Sequence, residues 1–161
     1  MSGQLRIAPA TEKDLALILS FIRKLAEYEK LSHMAVATEE NIREHVFGPN
    51  PVAEVLLAYW DQEPVGFALF FRNYSTFLGR PGIYLEDLFV DPEQRGKGIG
   101  KALLIRLAQI AVERGYGRLE WAVLNWNTPS IEFYRSLGAA PQDEWTVYRV
   151  TGDALARLAI K

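Results

Sequence analysis

A short glycine-rich loop is the part of the sequence most suited to binding a ligand. Residues 95–100 read Arg-Gly-Lys-Gly-Ile-Gly, between a strand-like segment at 83–90 and an apolar helical pattern that starts at Lys101. The start of a helix has unpaired backbone N–H groups and the positive end of the helix dipole. Glycine lets that backbone approach phosphate oxygens closely, and Arg95 and Lys97 add positive charge. The spacing therefore predicts a phosphate-binding loop.

Two common nucleotide-binding motifs differ from this loop in their spacing. The Walker motif requires Gly-Lys-Ser/Thr, but Gly100 and Lys101 are followed by Ala102, so the metal-binding hydroxyl is missing. The dinucleotide fingerprint requires Gly-x-Gly-x-x-Gly, whereas Gly96, Gly98 and Gly100 are evenly spaced. From the loop alone, an alternative interpretation remains, in which it is only a tight strand-to-helix turn with basic surface residues.

The composition indicates one soluble domain covering 1–161. The chain is 49% hydrophobic and 24% charged with a net charge of −2, so a nucleic-acid binder that relies on overall charge is not expected. It has no cysteine, which excludes disulfides, thiolate metal sites and a cysteine nucleophile. His33 and His45 lack further ligands at metal-binding spacing, so we expect no metal. Neither a signal peptide nor a run of ~20 apolar residues is present, and we expect a cytoplasmic protein without membrane contact.

Apolar periodicity and helix breakers predict the element order β-α-α-β-β-β-α-β-α-β-α. The predicted strands are Leu5–Pro9, 52–59, 65–74, 83–90, 119–123 and 145–150. The predicted helices follow Thr11 and Thr38 and then cover 101–114, 128–137, with Thr128 as its cap, and 151–160. A turn at 61–64 joins the second and third strands as a hairpin, and 75–82 is a loop. This order predicts one mixed sheet with helices on its faces, an α/β or α+β fold.

The spacing Arg95-x-x-Gly98-x-Gly100 between a strand and a helix resembles the acetyl-CoA-binding motif of the GNAT superfamily of N-acetyltransferases. Residues 84–90 (Tyr-Leu-Glu-Asp-Leu-Phe-Val) and 126–134 (Trp-Asn-Thr-Pro-Ser-Ile-Glu-Phe-Tyr) extend the resemblance to the spermidine/spermine (diamine) acetyltransferase family. The resemblance implies the GNAT fold, a single mixed, mostly antiparallel twisted sheet with helices on both faces. It also implies a homodimer.

The resemblance assigns roles residue by residue. In such enzymes the last strand residues before the loop splay from their neighbour and bind the pantetheine arm, and the loop holds the pyrophosphate. The matching cofactor-binding residues are Leu88, Phe89, Val90, Arg95, Gly96, Lys97, Gly98, Ile99, Gly100, Lys101, Asn127 and Ser130. The residues that match substrate-contacting positions are Tyr28, Glu29 and Glu86, and Tyr134 matches the catalytic tyrosine.

Acetylation of an amine needs a base for the amine and an acid for the leaving thiolate. Alkyl amines have a pKa near ~10.4, so carboxylates are needed to attract the cation and to take its proton. Glu86 is the candidate base, with Glu29 and Asp87 beside it. Tyr134 is the candidate acid, because a tyrosine with a pKa near ~10 stays protonated. The missing cysteine favours direct transfer in a ternary complex.

These residues predict an N-acetyltransferase that moves acetyl from acetyl-CoA to a primary amine of a small cationic molecule. A polyamine, a diamine or a lysine-like amino acid suits the carboxylates. One alternative keeps the cofactor but uses a protein lysine or N-terminus as acceptor. An alternative of another class is a non-catalytic acyl-CoA sensor in which Tyr134 only packs.

Overall fold

The computed structural model describes residues 3–160, which form two compact units, one ending at Ala122 and the other starting at Val123. The first unit holds a five-stranded sheet in the order β1-β2-β3-β4-β5. Its strands are β1 (Leu5–Pro9), β2 (Glu54–Trp60), β3 (Glu63–Ser75), β4 (Arg80–Val90) and β5 (Leu119–Trp121). The first three pairings are antiparallel and β4 pairs with β5 in parallel, which confirms the mixed, mostly antiparallel sheet.

Five α-helices accompany these strands in the described part of the chain. They are α1 (Leu15–Tyr28), α2 (Glu39–Phe47), α3 (Ile99–Glu113), α4 (Thr128–Ser136) and α5 (Gly152–Ala159). Short 3₁₀ turns cover Glu12–Asp14, Ser32–Met34 and Pro92–Gln94. No helix between residues 3 and 160 combines the length and the apolar character that a membrane crossing would require.

Two of the helix starts follow the predicted capping chemistry. The Thr11 N–H donates to Asp14 Oδ2 at 2.8 Å, at the turn that leads into α1. At α2, Thr38 Oγ1 accepts from the Asn41 N–H at 3.2 Å, and Asn41 Oδ1 accepts from the Thr38 N–H at 3.0 Å. Each reciprocal pair satisfies two backbone groups that a helix start leaves open.

Side-chain alternation along the strands places helices on both faces of the sheet. One face presents Val55, Leu57, Phe67 and Phe89, which pack with the buried side chains of α1 and α2. The alternate residues of the same strands, such as Leu56, are buried on the opposite face, where α3 packs. The core of the first unit therefore consists of two apolar layers that fix the sheet between α1 and α3.

The structure differs from the predicted elements in the hairpin that joins β3 and β4. Residues 75–82 were predicted to be a loop, but Ser75 already pairs with Arg80, and β4 includes Gly82. A Cβ on Gly82 would lie 2.8 Å from Asn73 Oδ1 and 3.0 Å from the Arg118 carbonyl oxygen. Gly82 thus permits a close approach of neighbouring strands, which the sequence alone does not distinguish from a turn.

Further corrections concern the ends of elements and one whole strand. The helix α3 starts at Ile99 rather than residue 101, and β5 stops at Trp121 rather than residue 123. Residues 145–150 were predicted to be a strand, but the structure shows none there. An alternating pattern forms a strand only when a neighbour pairs with its backbone. Here the Trp145 N–H instead closes a turn onto the Gln142 carbonyl, and Tyr148 is 92% exposed.

Candidate active site

The glycine loop (residues 95–100) forms the connection between β4 and α3 in the first unit. After β4 ends at Val90, one 3₁₀ turn leads into the loop, where Gly96 and Gly98 have φ angles of +83° and +78°. Only glycine adopts this left-handed region without a steric cost. A Cβ on either glycine would meet no described atom within 4 Å. The backbone of the loop therefore borders open space that an incoming group could enter.

The N-terminus of α3 carries the unpaired N–H groups that the sequence predicted. Gly98 is its N-cap and provides no side chain, and the first helical hydrogen bond runs from the Ala102 N–H to the Gly98 carbonyl at 2.9 Å. By contrast, α2 is capped by the Thr38 side chain. An anion at the start of α3 would bind these N–H groups and the positive end of the dipole of a 15-residue helix.

Two cations of the glycine loop lie against aromatic rings. The Arg95 guanidinium carbon is 4.7 Å from the centre of the Tyr28 ring and 6.0 Å from that of Phe89. Lys97 Nζ is 4.8 Å from the centre of the Trp60 ring and donates to Gln94 Oε1 at 2.5 Å. Both cations are within the cation–π range of their rings. These contacts hold positive charge beside the uncapped helix, so the residues present fit a pyrophosphate group.

The pairing of β4 with β5 ends before the last residues of β4. The parallel pairing joins Ile83–Leu85 with Leu119–Trp121 and stops there, while β4 continues to Val90. Residues 88–90 therefore have no partner on β5, although they still pair with β3 on the other side. The backbone of Leu88, Phe89 and Val90 can hydrogen-bond to an extended ligand along this edge, as the predicted pantetheine contact requires.

A β-bulge in β4 positions two acidic residues. Leu69 of β3 pairs with Asp87 and the next residue, Phe70, pairs with Leu85, so Glu86 is the extra residue in β4. A bulge bends a strand and changes the direction of nearby side chains. Glu86 is exposed, whereas Asp87 is half-buried opposite Leu69, on the face that carries α1.

Glu29 completes an acidic cluster (Glu29, Glu86 and Asp87). It follows the last residue of α1, and its N–H still donates to the Leu25 carbonyl at 2.9 Å. Burial raises the pKa of Asp87 to about 7, with smaller contributions from the charges of Glu86 and then Glu29. Burial and the charge of Glu86 also raise the pKa of Glu29. Because the charge of Glu86 acts on both Glu29 and Asp87, the fold brings these three predicted residues together.

The acidic cluster has no compensating cation in the described chain. None of the ion pairs found among residues 3–160 includes Glu29, Glu86 or Asp87. The same residues contain no group of three histidine, aspartate or glutamate side chains arranged to hold a metal ion. Like charges without a counter-ion attract a cation, and a carboxyl with a pKa near neutrality can take up a proton at working pH.

The second unit carries Asn127, Ser130 and Tyr134 at the start of α4 or within it, whereas Lys101 lies in α3 of the first unit. Asn127 is the N-cap of this helix, since its Oδ1 accepts from the Ser130 N–H at 3.5 Å, and Thr128 is the first helical residue. The prediction that Thr128 caps α4 was therefore wrong. The amide oxygen of Asn127, which is only 6% exposed, reaches the N–H of the third helical residue as an N-cap does. The Tyr134 ring lies 5.6 Å from that of Phe133, with 44° between the planes.

Sequence reasoning missed two features of the first unit. It selected Glu86 as the base and did not indicate that burial raises the pKa of the neighbouring Asp87 to about 7. It also missed the contact between Arg95 and Tyr28. This contact joins the glycine loop to the end of α1. No local pattern indicates either feature, because one depends on burial and the other joins residues far apart in the chain.

Comparisons with known proteins agree with this geometry. The model of the acetyltransferase (GNAT) family matches residues 20–139. The chain is 43% identical to a thialysine N-epsilon-acetyltransferase of Bos taurus, over 96% of this chain and 97% of that protein. It is 32% identical to a human spermidine/spermine N(1)-acetyltransferase-like protein 1, over 96% of this chain and 24% of that protein. A solved structure, the integron cassette protein VCH_CASS6 from the V. cholerae mobile metagenome, superposes with a TM-score of 0.81 at 30% identity, covering 98% of both chains.

Proposed function

The chain belongs to the GNAT family of acetyltransferases and is an N-acetyltransferase, and we propose that its acceptor is a primary amine of a small cationic molecule. A lysine-like amino acid, a diamine or a polyamine has the required charge. The observation that carries this proposal is the acidic cluster, which lacks a counter-ion in the described residues and includes a carboxyl with a pKa of about 7. The names of the relatives, which mention thialysine and spermidine/spermine, support the same chemical class.

Enzymes of this family use acetyl-CoA, which supplies the acetyl group as a thioester. We assign its pyrophosphate to the glycine loop, because the uncapped start of α3, the left-handed glycines and two ring-held cations fit an anion. We assign its pantetheine arm to the backbone of Leu88, Phe89 and Val90, where β4 has no partner on β5. From the family resemblance, we also assign cofactor contacts to Lys101, Asn127 and Ser130.

On the acceptor side, the acidic cluster attracts the ammonium group and removes one proton from it. Glu86, which is exposed on the bulge, would meet the cation, and its neighbour Asp87, with a pKa of about 7, would accept a proton near neutral pH. We propose that Asp87 accepts the proton and that Glu86, whose charge helps to raise the pKa of Asp87, acts with it as the base. Glu29 and Tyr28 add substrate contacts in this proposal, and Tyr134 gives its proton to the departing thiolate.

A screen of acceptors tests the proposal. Free thiol released from acetyl-CoA would be measured with lysine analogues, diamines, polyamines and lysine-containing peptides. We expect release with small amines that carry a second positive charge and much less with neutral amines of the same length. Release with peptides alone would favour a protein lysine or N-terminus as acceptor. Clear coenzyme A binding without thiol release from any amine would favour the non-catalytic sensor.

Three further properties of the protein stay predictions. They are the single catalytic domain over 1–161, the homodimer and the cytoplasmic location. Sedimentation of the purified protein at several concentrations would test the homodimer, because a monomer at every concentration contradicts it. The absence of a metal requirement can be tested by assaying thiol release after treatment with a chelator.

A further inference from the structure

The contact between Arg95 and Tyr28 joins two regions to which different roles are assigned. Tyr28 is the last residue of α1 and directly precedes Glu29 of the acidic cluster. Arg95 is the first residue of the glycine loop, and its guanidinium carbon lies 4.7 Å from the centre of the Tyr28 ring. The acceptor side and the cofactor side of the first unit are therefore in direct contact through this pair.

The rings under Arg95 are fixed by the core. Phe89, only 4% exposed, lies 6.0 Å from the guanidinium carbon and 6.1 Å from the ring of Phe21. Phe21 in turn stacks on Phe67 at 5.5 Å with 11° between the planes. Tyr28 packs against the same core cluster. A flat cation on this support loses little freedom when it binds a ligand, because its orientation is already limited.

The hydrogen bonds of Arg95 leave the outer part of the side chain available. Its Nε–H donates to the Val90 carbonyl oxygen at 3.3 Å, which ties the guanidinium to the end of β4. Its terminal nitrogens make no ion pair with an acidic residue in the described part of the chain, unlike those of Arg114, which bind both carboxylate oxygens of Glu54 at 2.8 Å. The planar fork of Arg95 can therefore bind a phosphate group in a bidentate manner.

We propose that Tyr28 is a positioning residue for the cofactor, because its ring holds the Arg95 guanidinium in the orientation that binds the pyrophosphate of acetyl-CoA. The inference rests on the proposed function, in which the glycine loop binds that pyrophosphate. It gives Tyr28 a role on the cofactor side in addition to its predicted contact with the amine. The ring is the part that matters for this role, and the hydroxyl is not required.

The test measures the Kd of coenzyme A by calorimetry, without any amine. Tyr28→Phe keeps the ring and should leave the Kd within about twofold, whereas Tyr28→Leu should raise it about two- to fivefold, the range of an exposed cation–π contact. Arg95→Ala should raise it about tenfold or more. In the Arg95→Ala background, Tyr28→Leu should have no further effect, because the partner of the ring is already missing.

Tyr59→Leu is a matched control. Tyr59 carries another arginine, Arg6, whose guanidinium carbon is 4.2 Å from the ring centre, and neither residue belongs to the glycine loop. This variant should leave the Kd of coenzyme A unchanged. If Tyr28→Leu does not fold, Arg95→Lys is a second route, since it keeps the charge of an exposed side chain but removes the planar stack and the Nε bond. It should weaken coenzyme A binding about two- to fivefold.

The outcomes separate the role of Tyr28 from that of the glycine loop. If Arg95→Ala weakens coenzyme A binding but a folded Tyr28→Leu does not, the role of Tyr28 is wrong and the glycine loop keeps its assignment. If Tyr28→Leu does not fold, unchanged binding by Arg95→Lys leads to the same conclusion. The role is equally wrong if Tyr28→Leu weakens binding as much in the Arg95→Ala background as it does alone. If Arg95→Ala leaves the Kd unchanged, the loop does not bind the cofactor and the role of Tyr28 falls with it.

Discussion

The glycine loop and the acidic cluster both collect charges of one sign, but they hold them in different ways. The cations of the loop are exposed and lie on aromatic rings, as Arg95 does on Tyr28. Two carboxylates of the cluster, those of Glu29 and Asp87, are partly buried, and burial raises the pKa of Asp87 to about 7. Exposed cations keep their charge and suit binding, whereas a partly buried carboxyl can change its charge and suits proton transfer.

A third region shows what charges do when they are paired. Arg114, at the end of α3, binds both carboxylate oxygens of Glu54 at 2.8 Å. The two charges neutralise each other, so this pair offers no net charge to a ligand. The glycine loop and the acidic cluster form no ion pairs among residues 3–160, so their charges can bind a group of opposite charge. The following variants test this contrast.

The largest expected effect comes from Asp87→Asn. Loss of the proton acceptor should lower kcat/KM for the amine about 10²- to 10⁴-fold, the usual contribution of general base catalysis. The Kd of coenzyme A should stay within about twofold, because Asp87 is not part of the glycine loop. Steady-state thiol release and calorimetry measure the two quantities. The matched control is Asp91→Asn, since Asp91 pairs with Lys24 at 3.2 Å and lies outside the acidic cluster; a comparable loss there would contradict the assignment.

Asp87→Asn should lower activity but raise stability at high pH. In the folded state the pKa of Asp87 is raised from 3.8 to about 7, so the folded protein binds more protons than the unfolded chain between these values. Its contribution to the free energy of unfolding is therefore fully present below pH ~4 and is lost as the pH rises through about 7. Asp87→Asn should raise the Tm at pH 8 and change it less at pH 4. A lower Tm at pH 8 would indicate that Asp87 has a structural role instead.

A smaller effect is expected from Gly98→Ala. The substitution adds a Cβ to a residue with a φ of +78° beside the open space at the start of α3, so it should displace the N–H groups that bind the pyrophosphate. Hydrogen bonds to charged groups contribute about 1.5–3 kcal/mol, which corresponds to roughly a 10- to 100-fold higher KM for acetyl-CoA. Gly79→Ala is the matched control, because Gly79 also has a positive φ, +65°, and open surroundings. Equal losses of cofactor affinity would mean that strain alone explains the result.

The pH dependence of the reaction should respond to Glu29→Gln. We expect kcat/KM for the amine to rise with pH through about 7, as Asp87 loses its proton. Removing the charge of Glu29 removes the smallest of the three causes that raise the pKa of Asp87, so the rise should move to lower pH. A pH–rate profile of both proteins measures this shift. A rise that moves to higher pH would be inconsistent with the acidic cluster.

The smallest effect is expected for Glu54→Gln, which breaks the paired region. An exposed ion pair contributes about 0–1 kcal/mol to the free energy of unfolding, and this one is solvent-accessible on both sides. Thermal unfolding should show a slightly lower Tm, while both kinetic parameters stay unchanged. A large loss of activity would show that the Arg114–Glu54 pair also contributes to the reaction, which contradicts the contrast between paired and unpaired charges.

The sequence predicted much of the fold because its signals were local. The caps at Thr11 and Thr38 and the turn at 61–64 need only nearby residues to form. The resemblance to GNAT acetyltransferases, which rested on three short motifs, is confirmed by the family match. The strand predicted at 145–150 failed because its formation depends on a partner strand, and alternation of apolar residues does not supply one.

The candidate site was predictable in its members and not in its electrostatics. Motifs gave Glu29, Glu86 and Asp87, and the structure brings them together. The raised pKa of Asp87 depends mainly on burial, which results from the tertiary fold. Likewise, the contact of Arg95 with Tyr28 follows from the tertiary fold and from no spacing in the sequence.

The bulge at Glu86 also has a consequence at the level of the gene. Leu85 and Asp87 pair with the adjacent residues Phe70 and Leu69, so Glu86 has no paired residue on β3. Loss of its single codon would leave a regular ladder with Asp87 still opposite Leu69. We therefore expect deletion of Glu86 alone to remove this carboxylate while the rest of the sheet keeps its alignment.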